Sequence, residues 1–333
     1  MLFAFTKEKQ LVDASGADAR KTYYCPDCGS VLIRKAGKLL IPHFAHTANE
    51  NCQGMSEGET AEHLNLKKIF YQWGRQDDQH WKLEEPLKDL PQRPDLLNQK
   101  LVVEIQCSPL KTSRLEERVS GYRQMGYQDW WLLGRKLCPD KKFTALQKQF
   151  CSFSKARGVH LWGIKAGTIT LFYHIYQRDQ HYHYSKKSWP KYSEPLPMIL
   201  NTTIRETPPK VILSKQSVID KKTHLGLKLR QSDPKIRKIQ DYLYHRYEHL
   251  LYLSDWLYFP SRYFFFYQDD ILIFRLLFQQ EAKNADRIFK KFLLYREKTQ
   301  QHWSFCRIAE REILERLYLE AIFCQRKAKI LLT

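Results

Sequence analysis

Arg93-Pro94-Asp95-Leu96-Leu97-Asn98-Gln99-Lys100-Leu101-Val102-Val103-Glu104-Ile105-Gln106 reads as strand, tight turn, strand. A turn at Asn98-Gln99 sets Asp95 near Val102 and makes Glu104 its diagonal neighbour on the same face. Such neighbours lie ~7–8 Å apart at Cα, close enough for long side chains to converge. Strand side chains alternate with period two, so Gln106 shares that face while Val103 and Ile105 turn into a core. An otherwise apolar ribbon thus carries one polar cluster of Asp95, Glu104 and Gln106. Two carboxylates aimed at one point suit a hard divalent ion such as Mg²⁺ or Mn²⁺. Such an ion can activate water and stabilise charge on a phosphodiester.

Upstream of this ribbon, the spacing predicts a helix beginning near Glu57. Leu66, Ile69, Phe70 and Trp73 recur at helical spacing and form its inward face. Continued backwards, that face reaches His63, Glu62 and Glu59. Buried carboxylates there need a partner or a metal; in the plainer reading the helix start is exposed and acids sit there because the macrodipole favours them. Downstream, a helix is predicted over roughly 110–125, with Leu115, Val119 and Tyr122 inward. Arg114, Arg118 and Arg123 on that helix, with Lys67 and Lys111, are candidates to reach phosphates, although a solvated helix face is the commoner fate of such charges. Gln128 to Leu133 reads as a strand, and the apolar run Trp130-Trp131-Leu132-Leu133 suits a central buried one. A helix near 140–157 and strands at Val159–Ile164 and Thr168–Tyr173 follow.

The first 55 residues read as short strands and turns. Leu2-Phe3-Ala4-Phe5 and Leu11-Val12-Asp13-Ala14 suggest one hairpin, and Val31–Arg34 with Leu39–Ile41 around Lys35-Ala36-Gly37-Lys38 suggest another. Within this stretch Cys25-Pro26-Asp27-Cys28-Gly29 is a tight knuckle, which points two thiolates at one tetrahedral ion. His43-Phe44-Ala45-His46 and Cys52 follow. Five candidates, Cys25, Cys28, His43, His46 and Cys52, compete for the four places of a closed zinc shell, with a reduced Cys pair in a turn as the plainer alternative. The metal's role is read as structural, because a module of this size buries too little surface to hold without a staple. Cys107, Cys138, Cys151, Cys306 and Cys324 are scattered, which fits free thiols rather than a disulfide framework.

The chain has 333 residues, 55 Lys and Arg against 36 Asp and Glu, and a formal net charge of +19. An excess that large attracts polyanions, nucleic acid first and an anionic membrane second. Lys7, Glu8 and Lys9 interrupt the start and argue against a signal peptide. No uncharged apolar run is long enough for a membrane span, so a cytoplasmic protein is expected. Residues 178–232 are rich in proline and lysine and read as a linker with room for local structure. Tyr182, Tyr184, Trp189 and Tyr192 beside Lys186, Lys187 and Lys191 there are candidates to stack single-stranded bases, although aromatics are more often packed. From Asp233-Pro234, a fair N-cap and first helical residue, a helical region runs to the end. Its run Tyr263-Phe264-Phe265-Phe266-Tyr267 is either core or a docking surface for a recombinase or single-strand-binding protein.

The order helix, hairpin with Asp then Glu-x-Gln, helix, strand resembles the core of the PD-(D/E)xK nucleases. The chain as a whole resembles the competence protein CoiA family. Three features carry the likeness: Cys25-Pro26-x-Cys28 with His43-Phe44-Ala45-His46; Glu59 through Glu62-His63-Leu64 and Lys67; and Arg93-Pro94-Asp95 leading to Val103-Glu104-Ile105-Gln106-Cys107-Ser108, then Glu117-Arg118, Tyr122 and Trp130-Trp131-Leu132-Leu133-Gly134. The resemblance implies a multidomain α+β or α/β architecture. A zinc-finger-like β module would span 1–55, a restriction-endonuclease-like αβββαβ core 56–177 and a helical domain 233–333. It implies a role after DNA uptake in natural transformation, promoting recombination of incoming DNA, with single-stranded DNA as partner. The site would be Asp95, Glu104 and Gln106, with His63 beside them and Glu59 or Glu62 as the helix acid. One departure matters: the superfamily's lysine is Gln106 here, whose amide can orient a water but supplies no charge. Two readings follow, a metal-dependent deoxyribonuclease and a catalytically inactive DNA-binding mediator of recombination.

Overall fold

The structure is a computed structural model that describes residues 1–332 apart from 27, 38–40, 48–59, 88, 140–142, 179–180, 209 and 282–283. Cys52, Glu59 and the helix start expected near Glu57 lie outside the described residues.

The chain opens with a small antiparallel sheet of β1 (Phe3–Phe5), β2 (Leu11–Asp13), β3 (Tyr23–Tyr24), β4 (Val31–Lys35) and β5 (His43–His46), ordered β2-β1-β3-β4-β5. The first hairpin pairs Phe3 with Asp13. Of the expected second hairpin, Leu39 and Leu40 lie outside the described residues; β4 pairs with His43–His46, in a register of Leu32 opposite His46 and Lys35 opposite His43. That register sets Phe44 opposite Arg34, and its ring meets that of Tyr23, with centroids 4.9 Å apart. Phe44 and Met1 exchange backbone hydrogen bonds of 2.8 and 3.1 Å. The buried set is Met1, Ala4, Ala14, Ala17, Tyr23, Cys25, Leu32 and Phe44. With three alanines in it, this core is small for its length, the condition under which a covalent or metal staple matters.

The next elements are α1 (Ala61–Asp77), β6 (Lys82–Leu83), β7 (Leu96–Asn98), β8 (Leu101–Gln106), α2 (Thr112–Gln124) and β9 (Gln128–Leu133). Thr60 caps α1, its hydroxyl accepting from the His63 amide at 3.2 Å. After α3 (Ala145–Phe150) come β10 (Ser152–Ser154), β11 (Gly158–Lys165), β12 (Thr168–Arg178) and β13 (His181–Trp189). Of the helix expected near 140–157, residues 140–142 lie outside the described residues; the described part forms the short α3, and Ser152 to Ser154 pair with β11 instead. The large sheet is mixed, ordered β13-β12-β11-β9-β8-β7-β6 with β10 on β11. β9 runs parallel to both neighbours, and Trp130 to Leu133 are buried, as a central strand requires.

The hairpin register corrects the sequence reading by one step. Asn98 faces Leu101, so the two-residue turn is Gln99-Lys100, with Gln99 in the left-handed region at φ 52°. Two-residue hairpin loops need such a positive φ to match the strand twist. Leu96 therefore faces Val103, and Asp95 lies one residue beyond that pair, across from Glu104 rather than diagonal to it.

The chain divides into two compact units. One comprises Met1–Phe150, Leu161–Phe172 and Lys186–Ile204; the other Cys151–His160, Tyr173–Ser185 and Arg205–Thr333. Residues 178–232, read as a linker, hold β13, α4 (Leu196–Leu200) and α5 (Lys215–Arg230). The second unit continues with α6 (Pro234–Tyr244), α7 (Phe264–Tyr267), α8 (Ile271–Gln280), α9 (Ala285–Lys298) and α10 (Glu310–Leu331). Asp233 caps α6 ahead of Pro234 as expected. Phe265, Phe266 and Tyr267 are buried against Trp303, Phe305 and Phe292, so the aromatic run is mainly core. Trp189 is likewise buried against Trp162, and Tyr192 packs on Trp73. No helix among the described residues is long and apolar enough to cross a membrane.

Gly134 follows β9 directly, where a Cβ would lie 2.6 Å from Cys107 Sγ and 3.2 Å from its Cα. Gly134→Ala is expected to lower stability by ~1–3 kcal/mol in urea unfolding, as overpacking does. Cys107→Ala should recover part of that loss in the double variant, since the backbone contact persists.

Candidate active site and metal centre

Three acids lie in or directly beside successive strands: Glu84 just after β6, Asp95 just before β7 and Glu104 in β8. Leu83 faces Leu96 and Leu96 faces Val103, so the residues one step on, Glu84, Asp95 and Glu104, form a row across the β6, β7 and β8 edge of the sheet. All three are buried. Lys67, on the inward face of α1 and only 1% exposed, pairs with Glu84 Oε1 and stands 3.7 Å from Asp95 Oδ1. His63, one helical turn earlier, meets Asp95 Oδ2 at 2.9 Å, and the Ile105 amide donates to the same oxygen at 2.7 Å. Glu84 Oε2 accepts the Leu2 and Phe3 amides at 3.1 and 3.4 Å, which ties the small sheet to this row.

Glu104 has a different escort. Its Oε1 takes Arg118 Nη2 and the Tyr122 hydroxyl, both from α2. Arg118 also reaches the Arg93 carbonyl at 3.4 Å. Glu104 Oε2 makes no hydrogen bond among the described residues. The two acids consequently titrate apart. Burial alone would raise Asp95, but His63, Lys67 and the two hydrogen bonds outweigh it and hold it at about 2. Burial pushes Glu104 up to about 7, with the Asp95 charge adding to the rise and Arg118 opposing it. Burial is the larger influence on Glu104 even with Arg118 alongside, because one guanidinium shared with Tyr122 and a carbonyl does not replace water around the whole carboxylate.

The remaining sequence candidates fall as follows. Gln106 is buried, its amide nitrogen donating to Ser108 O at 2.8 Å. Glu62 accepts the Arg135 amide at 2.9 Å and so caps the loop after β9. Lys67 and Arg118, read as phosphate contacts, are instead buried ion-pair partners of the acids. Lys111 and Arg123 are exposed, and Arg114 pairs with Glu117 at 2.8 Å. Sequence reasoning missed Glu84. The signal was there in Lys82-Leu83 as a third short strand just ahead of Glu84, but a two-residue strand leaves no periodicity to read.

The knuckle forms as expected. Gly29, at φ 71°, donates to the Cys25 carbonyl at 3.0 Å, and the Cys25 amide donates to Ser30 O at 2.8 Å. His46 Nε2 lies 3.3 Å from Cys28 Sγ. Ligand atoms of Cys25, Cys28 and His46 all lie within 4.8 Å of one another, the one such group of three His, Cys, Asp or Glu among the described residues. Two thiols and an imidazole so close together fit a metal ion that takes sulfur and nitrogen. His43 is not part of this group; its Nδ1 meets the Ile41 carbonyl at 2.9 Å. Three residues apart on one strand, His43 and His46 point to opposite faces.

Two family models match the chain: the N-terminal domain of competence protein CoiA over residues 6–55, and the nuclease-like domain of competence protein CoiA over residues 59–202. The chain belongs to the competence protein CoiA family. Competence protein CoiA of Bacillus subtilis (strain 168) is 30% identical over 151 residues, covering 44% of this chain and 38% of that relative. The chain thus aligns with well under half of the length of that curated relative. No solved structure matches. The matched N-terminal domain contains the Cys25–Cys28–His46 group, and the nuclease-like domain contains the row of acids.

Cys28→Ser and His46→Ala are expected to strip bound metal from the purified chain, measured by elemental analysis, whereas His43→Ala should keep it. Glu84→Gln leaves the buried Lys67 ammonium short of its closest counter-charge. It should cost ~3–5 kcal/mol in chemical denaturation, in line with breaking a buried pair.

Proposed function

We propose that this chain is a DNA-processing protein of natural transformation, which binds incoming single-stranded DNA in the cytoplasm and promotes its recombination through a divalent-metal-dependent nuclease-like site. The order α1-β6-β7-β8-α2-β9 supports a restriction-endonuclease-like αβββαβ core. The observation that carries the reading is the placement of Lys67. A lysine is missing at Gln106, yet an ammonium stands 3.7 Å from Asp95 Oδ1, delivered from the helix instead of from the strand.

Asp95 Oδ1 and Glu104 Oε2 are the oxygens left for Mg²⁺ or Mn²⁺, and two carboxylates on facing strands fit such a hard cation by donor type. A bound ion there supplies Lewis acidity and a water of lowered pKa. The chain's own groups do the rest. His63 and the Ile105 amide fix the Asp95 carboxylate; Lys67 places positive charge beside it. Gln106, anchored through its nitrogen, keeps its amide oxygen to orient a water. Lys111, Arg114 and Arg123 on α2 are the proposed phosphate contacts. In the small sheet, Zn²⁺ on Cys25, Cys28 and His46 would act as a staple, with Cys52 the remaining cysteine of the set.

A second reading rests on Arg118. The guanidinium already pairs with Glu104 where a metal would bind, so the same scaffold suits a catalytically inactive mediator that recruits a recombinase.

The test is cleavage of single- and double-stranded DNA across Mg²⁺ and Mn²⁺ by the intact chain, beside Asp95→Asn and Glu104→Gln. The nuclease reading expects metal-dependent cutting that both variants lose, a fall of ~10²-fold or more, as removal of a group acting in the transition state gives. Wild-type DNA binding with no cutting under any metal, and variants that transform normally, would establish the mediator instead. The pH profile adds a sign. A carboxyl held up at about 7 must lose its proton before it can bind a cation, so metal affinity should climb as pH rises through about 7 and level off above, a step absent in Glu104→Gln. Stability runs the other way. The fold holds the Glu104 proton more tightly than the unfolded chain, so this contribution is full below about 4.5 and is lost as pH rises through about 7.

A further inference from the structure

The second unit encloses a cavity of about 490 Å³, within the ~300–1,000 Å³ of small-molecule sites. Its wall combines two kinds of group. Lys155, Arg178, Lys210 and Arg262 line it, are exposed, and make no ion pair with an acid among the described residues. Phe153, Tyr176, Tyr263 and Phe264 line it half-buried; Tyr176 already stacks one face on His183, and Lys221 stands 4.6 Å from the Phe264 ring centroid. Of the acids in the wall, Asp269 is already answered by Lys221 at 2.5 Å and Lys228 at 3.3 Å. Asp220 is thus left against four cations.

The site is also built rather than merely hollow. Arg275, wholly buried, donates to the carbonyls of Leu257, Phe259 and Pro260 and pairs with Glu320 at 3.1 Å. Those carbonyls belong to the segment that runs along the cavity to Tyr263. A segment pinned from inside keeps its shape without a ligand, which lowers the entropy lost on binding. Arg316, held to Glu312 at 3.1 Å, lies 4.5 Å from the Phe153 ring centroid.

We propose that this cavity binds a nucleotide, with the base against the aromatic wall and the phosphate between Lys155, Arg178, Lys210 and Arg262. Anionic charge alone would need only the cations, and an apolar ligand only the rings; both together call for an aromatic group bearing a phosphate. The volume admits one such unit, which is either a free nucleotide or one residue of a single strand. This site is separate from the row of acids and does not rest on the nuclease reading.

Binding is measured on the intact chain without added divalent metal, so that no cleavage intervenes. The probes are deoxyadenosine monophosphate, deoxyribose 5-phosphate, a short labelled single strand and the same strand made abasic. The proposal expects each base-bearing probe that binds to do so at least about five-fold tighter than its base-free counterpart, the lower end of one stacked base. Phe153→Ala should abolish that preference, and Phe153→Tyr should keep it. Arg178→Glu with Lys210→Glu, both at exposed positions, should weaken binding about ten-fold or more. Binding of the mononucleotide and its competition with the strand would identify a site open to free nucleotides. Strand binding that falls in the variants with no mononucleotide binding would assign it to a strand residue. Unchanged affinities in the charge variant, or base-free probes binding as tightly as base-bearing ones, would overturn the proposal.

Discussion

A buried lysine shared by two carboxylates organises the first unit. Lys67 leaves the inward face of α1 and meets Glu84 and Asp95 on neighbouring strands. An ammonium taken out of water is tolerated only where counter-charges replace its hydration, a penalty of several kcal/mol otherwise. The helix cannot slide or roll without losing that arrangement. Glu84 extends the constraint to the small sheet through the amides of Leu2 and Phe3. One triad of charges thereby sets the helix, the hairpin edge and the N-terminal module in mutual position, and the candidate site sits at their meeting point.

The same arrangement splits the titration of two acids that face each other. Asp95 collects a lysine, a histidine and a backbone amide; Glu104 lies deeper, with one arginine and the Asp95 charge across from it. Pairs of like groups pushed apart by environment are how a single site holds one carboxylate ionised and one ready to exchange a proton near neutrality. Arg118 is central to the balance, since it is the group any added cation at Glu104 must displace or share.

Much of this was legible in the sequence, and the failures have physical causes. Hydrophobic period gave the helix, hairpin, helix and buried strand in order, and C-x-x-C spacing gave the knuckle. The hairpin register slipped by one residue because the turn uses Gln99 in a left-handed conformation, with no glycine to mark it. Asp95 and Glu104 kept their shared face because both strand ends moved together. Arg118 was read outward because charges on a helix usually are; only the buried Glu104, on a strand remote from it in sequence and invisible to local periodicity, makes its inward course favourable. Strand alternation would have told His46 from His43 had the true partner of β4 been known. Proline in 178–232 suggested a linker, yet Pro190 and Pro195 fall between β13 and α4, where they interrupt nothing.

The division of charge has a functional consequence. The cations nearest the acids, Lys67 and Arg118, are spent internally, paired and buried, and add little to the field outside. The +19 excess therefore resides on exposed side chains such as Lys111 and Arg123, and on Lys155, Arg178, Lys210 and Arg262 around the second unit's cavity. Attraction of a polyanion scales with those solvent-facing charges and weakens with salt, whereas the ion pairs at the acids are shielded from salt by burial. On the proposed function, binding and chemistry would thus rest on different residues in this chain. A substitution at the acids would then alter what happens to a bound strand without altering how strongly it is drawn in, and a substitution among the exposed cations would do the reverse.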